Sequence, residues 1–366
     1  MRQWRKAAAL VLALCLATGV PAQAATAGPG TVSQAVNGNQ VTEPEIQAEG
    51  AVVIDASTGN VLYGKNERNR FYPASITKLM TAMLVLERAD LNDTVTFSQT
   101  ATTNLEAGAV SLNLTEGDRL TVEQCLYALL LKSANEVGNG LAEHVSGSIS
   151  GFAQLMNQKA AELGCTGTHF ANPHGLNDSS HYTTPYDMAL IGRAAFQNET
   201  LCRITTTVSY QLPATKNAGA KTITMGHKMV YPNDSRYYEG IIGGKTGYTS
   251  LAGNTLVTGV QRNGVRLIAV VMKSKSTHYA DTKALLDYGF AVMEAQAGGT
   301  AVKDNKTPDP SVGTAAGPGY GDNSSKTQSS AGPGGEDNGN SGTNKSPARV
   351  VSAWFQDEKG WYYIKE

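Results

Sequence analysis

The pattern of apolar and polar positions predicts β-strands at both ends of the region from residue 49 to residue 296. The first run, AVVIDASTGNVLYGKN, is two β-rich stretches around Ser57-Thr58-Gly59-Asn60, which indicates a hairpin. The second run, NTLVTGVQRNGVRLIAVVM, alternates on both sides of Asn263-Gly264, a pair that suits a type I′ turn. We expect the strands from the two ends to form one antiparallel sheet.

Between these strands, several apolar runs carry the start and stop signals of helices. Thr121 with Gln124 forms a capping box before CLYALLL, and Thr184-Pro185 with Asp187 does the same before MALIGRAAF. The run FAQLMNQKAAELG closes with Gly164 as a C-cap. The order predicts an α+β (α/β) fold, with an antiparallel sheet flanked by helices that are largely inserted mid-chain.

Composition narrows the classes of partner. The 366 residues are 41% hydrophobic and 17% charged, an ordinary balance for a globular protein with a sizeable core. Thirty basic residues against 31 acidic ones leave a formal net charge of −1, so no global field favours nucleic acid or an anionic membrane. We therefore expect the substrate to be recognised locally.

The first 24 residues are typical of a secretory signal peptide. A basic segment precedes a short apolar stretch, and Ala22-Gln23-Ala24 fits a cleavage site. A membrane anchor is less favoured, because the apolar stretch is shorter than the ~20 residues needed to span a bilayer. A lipoprotein signal at Cys15 is weaker still, because bulky Leu14 precedes it. We expect a secreted or extracytoplasmic protein, with residues 25–48 as an N-terminal extension before the domain.

The region after residue 296 changes in character twice. Residues 297–347 are dominated by Gly, Ser, Asn, Pro, Asp and Lys, which cannot bury a core and predict a disordered linker. Residues 348–366 then concentrate Trp, Tyr and Phe around Asp357-Glu358-Lys359-Gly360, a pattern that favours strand-turn-strand over a helical stripe. No C-terminal membrane anchor is evident.

The spacing of the cysteines and histidines predicts neither a disulfide framework nor a metal or catalytic histidine motif. Cys125, Cys165 and Cys202 remain after the leader, without C-x-x-C spacing, so buried free thiols are expected, and a Cys165–Cys202 bridge stays open. No histidine belongs to a G-x-S-x-G or H-E-x-x-H motif, and structural hydrogen bonding is expected for the pair in HGLNDSSH. Neither a metal nor a cofactor is predicted. The six are His144, His169, His174, His181, His227 and His278.

The stretch FYPASITKLMTAMLV places Ser75 and Lys78 three residues apart where an apolar-periodic run begins. In one interpretation Ser75 caps a helix and Lys78 is a solvated surface cation. In the other, both lie in the first helical turn, where Ser75 is a nucleophile and Lys78 the base that takes its proton. The pair alone does not decide between them.

Two later motifs favour the second interpretation. Ser133-Ala134-Asn135 lies at a break between two helical runs, and Lys245-Thr246-Gly247 lies on a strand near the late hairpin. Ser-x-x-Lys, Ser-x-Asn and Lys-Thr-Gly in this order are the active-site set of penicillin-recognising serine enzymes. Each triplet is common alone, but the ordered trio is specific.

The surroundings of the three motifs closely resemble the low-molecular-weight penicillin-binding proteins that are serine-type D-alanyl-D-alanine carboxypeptidases. The segments are YPASITKLMTAMLVLE, LTVEQCLYALLLKSANEVGNGLAEHVSGS, FANPHGLNDSSHYTTPYDMALIGR and IIGGKTGYTSLAGNTLV, and the resemblance covers about residues 49–293. It implies a β-lactamase/transpeptidase-like fold for residues 49–296. Ala134 departs from the glycine of many members, which bears on backbone freedom and not on chemistry.

The resemblance implies a role for each motif residue. Ser75 would be the nucleophile, Lys78 the base, and Ser133 a relay of the proton to the departing D-alanine. Asn135 would hold the substrate amide. Lys245, Thr246 and Gly247 would bind the terminal carboxylate and a β-strand-like substrate, because a glycine edge allows close approach. Backbone N–H groups of Ser75 and of the Gly247-Tyr248 region would form an oxyanion hole.

The implied partners are peptidoglycan stem peptides, with β-lactams as covalent inhibitors. One alternative is a β-lactamase-like hydrolase, but no E-x-x-L-N segment with a deacylating glutamate lies between the second and third motifs. Another is a non-catalytic cell-wall-binding protein, whose signature would be a lost Ser75 or Lys78. The tail resembles a single repeat of the choline-binding type, which predicts contact with cell-wall glycan, and an exposed hairpin without a partner is the alternative.

Overall fold

The computed structural model describes residues 41–301 apart from 104 and 107, together with residues 353–357 and 360–364. The predicted signal peptide, residues 25–40 of the predicted extension and residues 302–347 of the predicted linker lie outside the described residues. The chain forms two compact units, residues 1–306 and residues 307–366.

The strands of the described residues fall into a five-stranded sheet and three two-stranded ones. Their bounds are β1 (Gly50–Asp55), β2 (Val61–Lys65), β3 (Thr94–Thr96), β4 (Arg119–Thr121), β5 (Ser209–Leu212), β6 (Lys221–Thr224), β7 (Ile241–Thr249), β8 (Gly253–Arg262), β9 (Val265–Ser274), β10 (Ala353–Asp357) and β11 (Gly360–Ile364).

Most α-helices lie between β2 and β5, as the order of patterns predicts. Their bounds are α1 (Lys78–Arg88), α2 (Gln99–Thr103), α3 (Val122–Tyr127), α4 (Asn135–Ser146), α5 (Ile149–Glu162), α6 (Pro185–Ala195), α7 (Glu199–Thr206) and α8 (His278–Ala301). Two 3-10 turns (Ala74–Thr77 and Lys228–Val230) and one π-helical turn (Ala128–Lys132) complete the set. The helix α8 extends past residue 296, at which the sequence placed the end of the domain.

The main sheet joins the two ends of the domain. Its order is β2-β1-β9-β8-β7 and every pairing is antiparallel, with Val53 of β1 opposite Ala269 of β9. Asn263 and Gly264 join β8 to β9 with φ of 50° and 78°, the left-handed values that a type I′ turn requires. Both predicted hairpins and the single antiparallel sheet are confirmed, and β7 is left as an edge strand.

Both faces of this sheet are buried. On β1, Val52 and Ile54 pack into a large cluster with the helices α1 and α6, whereas Val53 packs with Leu285 and Leu286 of α8. Alternate residues therefore enter opposite cores, which is the consequence of the two-residue strand period. The sheet is held between a helical layer on one side and α8 on the other.

The helix ends confirm two of the predicted signals and correct a third. Thr121 and Gln124 form a reciprocal capping box at α3, and Gly164, at φ 79°, follows α5. Thr184 caps α6 by accepting from the Asp187 amide, but the Asp187 carboxylate accepts from Gly167 and Thr168 instead. The capping box predicted there was wrong, because a neighbouring loop supplies better donors to the carboxylate.

The thiols form no disulfide: Cys125, Cys165 and Cys202 are free. Burial raises the pKa of each, to about 11 for Cys202 and higher for the other two. The expectation of buried thiols holds for Cys125 and Cys165, whereas Cys202 is half-buried. In the described part of the chain, no helix is long and apolar enough to cross a bilayer.

The C-terminal unit contains the hairpin that its aromatic pattern predicts. The strands β10 and β11 pair antiparallel, with Trp354 opposite Tyr363 and Phe355 opposite Tyr362. Aromatic positions therefore stand opposite each other across the hairpin.

Two paired glycines let the edge strand β7 and its neighbour β8 pack closely against an aromatic ring. Gly243 of β7 pairs with Gly259 of β8, and the ring of buried Phe196 lies against both. A Cβ at Gly243 or Gly259 would come within 2.5 or 2.6 Å of ring carbons. The ring fills the space that two absent side chains leave.

Phe196→Ala should therefore lower the free energy of unfolding by about 3–5 kcal/mol, the usual effect of emptying a buried phenylalanine site. Urea unfolding followed by circular dichroism measures it. Val208→Ala, at a side chain that is 39% exposed, is the control and should change stability by less than about 0.5 kcal/mol. Equal effects of the two substitutions would contradict the packing role of the ring.

Candidate active site

Ser75 lies in the 3-10 turn Ala74–Thr77 that leads into α1, and not in the first α-helical turn that the sequence predicts. Its hydroxyl makes no capping bond at the start of either helix. Ala74, just before it, has φ of 52°, a conformation that costs a non-glycine residue roughly 1 kcal/mol. The capping interpretation of Ser75 was wrong. The strained turn directs the Ser75 hydroxyl toward the Lys78 amine.

Two strands of the sheet hold this turn. The Thr255 hydroxyl of β8 donates to the Pro73 carbonyl at 2.8 Å. Gly247 of β7 lies so near that a Cβ there would be 2.8 Å from the Ser75 amide nitrogen. A side chain at Gly247 would lie against the Ser75 amide nitrogen, and the glycine leaves that position empty.

Lys78 is fully buried at the start of α1. Its Nζ lies 3.0 Å from Ser75 Oγ, 2.7 Å from Asn135 Oδ1 and 2.7 Å from the His174 carbonyl oxygen. Burial lowers its pKa well below the ordinary lysine value, the nearby Lys245 cation lowers it further, and Glu136 opposes them. The surface-cation interpretation of Lys78 was therefore wrong.

A neutral Lys78 has a defined orientation. An uncharged amine carries two N–H bonds and one lone pair, and Asn135 Oδ1 and the His174 carbonyl can only accept. In the uncharged form the two hydrogens would go to these oxygens and the lone pair would face Ser75 Oγ, whereas the protonated form donates to all three oxygens. In its uncharged form, Lys78 would therefore accept a hydrogen bond from Ser75 Oγ, 3.0 Å away.

Ser133 follows the π-helical turn Ala128–Lys132 and has φ of 66°. Its amide donates to the Ala128 carbonyl, five residues back, and its buried Oγ has no hydrogen-bond partner among the described residues. Ala134 has φ of −61°, which any residue adopts, so its methyl group is tolerated there. The residue with left-handed backbone is Ser133 instead. It separates the π-helical turn from α4, where the sequence predicts a break between two helical runs.

Asn135 begins α4 and links two elements to Lys78. Its Oδ1 accepts from Lys78 Nζ, and its Nδ2 donates to the Val110 carbonyl at 3.0 Å. The Asn135 amide donates to the same carbonyl at 2.9 Å. One hydrogen on Nδ2 remains for a ligand.

The third motif lies on the edge strand β7. Lys245 is buried, and its Nζ donates to the Thr246 carbonyl at 2.7 Å; burial lowers its pKa to about 7. Thr246 is half-buried, and a Cβ at Gly226 would be 3.3 Å from its hydroxyl. The seven predicted residues therefore lie on four elements. These are the 3-10 turn of Ser75, the start of α1, the junction between the π-helical turn and α4, and the edge strand β7.

Sequence reasoning missed the backbone carbonyls of the site. The carbonyls of Val110 and His174 accept from Asn135 and Lys78, but a carbonyl carries no sequence signal. One signal was available in Gly175 of the NPHGL run: it has φ of 90°, and a Cβ there would be 1.9 Å from the Ala74 carbonyl oxygen. A glycine there marks a close backbone approach.

Comparison with known proteins gives one family. Residues 37–276 match the family described as D-alanyl-D-alanine carboxypeptidase. The chain is 33% identical over 265 residues to D-alanyl-D-alanine carboxypeptidase DacF of Bacillus subtilis. The matched region covers 70% of this chain and 66% of DacF, just under two thirds of that protein. The chain is 34% identical to DacB2 of Mycobacterium tuberculosis, over 68% of this chain and 84% of that protein.

Solved structures agree on the fold. The Streptomyces K15 DD-transpeptidase superposes with a TM-score of 0.63 at 31% identity, over 69% of this chain and all of that one. A D-alanyl-D-alanine carboxypeptidase from Mycobacterium tuberculosis gives 0.62 at 34% identity, over 69% of this chain and 94% of the other. The β-lactamase/transpeptidase-like fold that the family resemblance implies is confirmed.

The lowered pKa of Lys245 predicts a dependence of stability on pH. The folded state releases this proton near pH 7, whereas the unfolded chain holds it to about 10.5, so the unfolded state binds more protons between these values. The free energy of unfolding should therefore rise with pH from 7 to 10, and Lys245→Met should reduce that rise. Urea unfolding at both pH values measures it.

The matched control is Lys275→Met, since the Lys275 side chain is exposed and its substitution should keep the wild-type slope. A slope unchanged in Lys245→Met would mean that Lys245 stays charged in the fold.

Proposed function

The chain belongs to the D-alanyl-D-alanine carboxypeptidase family, and on that premise we propose that it removes the terminal D-alanine of peptidoglycan stem peptides through an acyl-enzyme on Ser75. The observation that carries the proposal is buried Lys78, whose Nζ lies 3.0 Å from Ser75 Oγ while its other contacts are acceptors. A nucleophilic serine needs an adjacent base, and a lysine serves only when its pKa is lowered.

In the first step, Ser75 Oγ attacks the carbonyl carbon of the penultimate D-alanine, and its proton passes to Lys78. The carbonyl oxygen becomes an oxyanion, for which the Ser75 N–H and an N–H at Gly247-Tyr248 are the proposed donors. The empty side-chain position of Gly247 supports this assignment, because it leaves the Ser75 amide open. Losing one such donor typically costs 10²–10³-fold in rate.

The substrate is proposed to add as a strand to the free edge of β7. Thr246 and Lys245 would take the terminal carboxylate, and that negative charge would hold the Lys245 ammonium in its protonated form. The second hydrogen of Asn135 Nδ2 would donate to a substrate carbonyl. The side chains of Asn135 and Lys245 are already held in place by hydrogen bonds within the fold.

The bond to the leaving D-alanine then breaks, and its nitrogen needs a proton. Lys78 holds the proton taken from Ser75, and Ser133 Oγ is proposed as the relay between them, since this buried hydroxyl has no partner among the described residues. Water afterwards hydrolyses the ester, which releases the shortened peptide and regenerates Ser75. A β-lactam would acylate the same oxygen by opening its ring.

The proposal predicts that full-length protein releases D-alanine from a D-Ala-D-Ala peptide and gains the mass of one penicillin molecule on Ser75. Ser75→Ala should abolish both, whereas Ser150→Ala, at a serine on α5, should keep both. Peptide mapping by mass spectrometry and an assay of free D-alanine provide the measurements. Label on another residue, or rapid turnover of penicillin without D-alanine release, would refute the carboxypeptidase and favour a β-lactamase-like hydrolase.

We further propose that the protein acts outside the cytoplasm and that its tail contacts cell-wall glycan. The signal-peptide pattern of residues 1–24 supports export. The paired aromatic positions of β10 and β11 support glycan contact, because aromatic rings present flat apolar faces to sugars. A tether of this kind raises the effective concentration of an enzyme near its substrate.

The tail proposal predicts a loss of wall retention when the chain is truncated after Lys306, the last residue of the first unit. The exported protein should lack residues 1–24 and sediment with purified walls, and the truncated form should stay in the supernatant. Turnover of a soluble peptide should be equal in both. Equal sedimentation of the two forms would exclude the glycan contact.

A further inference from the structure

The segment from residue 171 to residue 182, here named the clamp loop, runs between α5 and α6 and covers the buried side of Lys78. Its His174 carbonyl accepts from Lys78 Nζ at 2.7 Å, and its Pro173 carbonyl accepts from the Thr81 hydroxyl at 2.6 Å. Thr81 lies three residues after Lys78, on the same side of α1. Two successive carbonyls of the loop therefore bind two side chains of one helix.

The clamp loop also lies against the turn that carries Ser75. Gly175, at φ 90°, approaches so closely that a Cβ would be 1.9 Å from the Ala74 carbonyl oxygen and 2.9 Å from Thr77 Oγ1. Asn177 Oδ1 accepts from the Thr249 hydroxyl at the end of β7. The position of this loop is therefore coupled to the nucleophile, the base and the edge strand at once.

The far end of the clamp loop is fixed by His181. This side chain is 1% exposed, and its Nδ1 accepts from the Ala171 amide at 3.0 Å. A neutral imidazole whose Nδ1 accepts must carry its proton on Nε2. His181 Nε2 therefore donates to Thr77 Oγ1, 2.9 Å away in the Ser75 turn. One ring closes the loop on itself and ties it to the nucleophile turn.

We propose that His181 is a positioning residue: its bond to Thr77 keeps the clamp loop in place, so that the His174 carbonyl holds one hydrogen of Lys78 and directs the amine lone pair at Ser75. The hydrogen bonds of the His181 ring go to Thr77 and Ala171, not to Ser75 or Lys78, so His181 acts through the loop. The inference rests on the proposed function, because it concerns the base of that reaction.

The charges around both groups are consistent with this role. Lys78 faces Lys245 from β7, which lowers its pKa, and Glu136 from α4, which raises it. The His174 ring of the clamp loop also lies near Lys78, and burial followed by the Lys78 charge holds the pKa of this ring well below its usual value. Burial lowers the pKa of His181 to about 3, with Asp178 opposing and His169 and Lys78 contributing. The ring stays neutral above that pH and keeps its single donor on Nε2.

Loss of this bond changes the environment of Lys78 in a measurable way. A loosened clamp loop admits water to the amine, and that water also replaces the His174 carbonyl as an acceptor, so the desolvation that lowers the Lys78 pKa is reduced. The lysine then needs a higher pH to lose its proton. The ascending limb of the pH profile for acylation should move upward when each rate is normalised to the fraction of folded enzyme that circular dichroism gives at that pH, whereas mere destabilisation leaves the normalised profile unmoved.

The experiment measures the second-order rate constant of acylation by a fluorescent penicillin from pH 5 to pH 11, on full-length wild type, His181→Ala and Thr77→Val. Both variants should shift the ascending limb upward by about one pH unit. Thr77→Ser keeps the acceptor hydroxyl and should restore the wild-type limb. His144→Ala, at a histidine on the outer part of α4, is the control and should leave the profile unchanged.

Each other result counts against the inference in a distinct way. A uniform drop in rate with an unmoved limb in both variants would make His181 a structural residue only. A limb that moves in His181→Ala but not in Thr77→Val would exclude the bond to Thr77. If His181→Ala does not fold by circular dichroism, Thr77→Val decides alone. Wild-type protein that is not labelled at Ser75 would instead refute the proposed function itself.

Discussion

The burial of Lys78 is the constraint on which the rest of the site depends. An ammonium group loses most of its hydration when it is fully buried, which lowers the pKa of Lys78 well below the ordinary lysine value, and an uncharged amine is a directional group. Its two hydrogens need fixed acceptors for the lone pair to have one direction. Asn135 and the clamp loop supply these acceptors from separate parts of the chain.

The fold brings those parts together through the sheet. Pairing of β1 with β9 closes the two ends of the domain, and this leaves β7 as a free edge beside the Ser75 turn. Glycines allow the close approaches: Gly243 and Gly259 admit the ring of Phe196 beneath the edge strand, and Gly247 leaves the Ser75 amide open. The same omission of side chains thus serves packing at one end of β7 and leaves space beside the Ser75 amide at the other.

The site stores backbone strain at two non-glycine positions, Ala74 at φ 52° and Ser133 at φ 66°. Ala74 precedes the proposed nucleophile, and Ser133 is itself the proposed proton relay. The packing around each residue fixes its backbone conformation. Ala74 is enclosed by Gly175 and Gly247, whereas Ser133 ends a π-helical turn that no regular helix would continue. Strain persists in such places because the packed elements around it permit no relaxed alternative.

The sequence by itself determined the antiparallel sheet, the mid-chain helices, the two hairpin turns and the three motifs, because strand period, turn residues and ordered short motifs are local properties. It misplaced Ser75 by a turn and misassigned the Asp187 carboxylate, since the 3-10 geometry and the competing donors come from neighbouring segments. Only the tertiary structure decided which carbonyls meet Lys78 and Asn135. Every residue carries the same carbonyl group, so the selection of His174 and Val110 depends on how the chain packs and leaves no mark in the side-chain pattern.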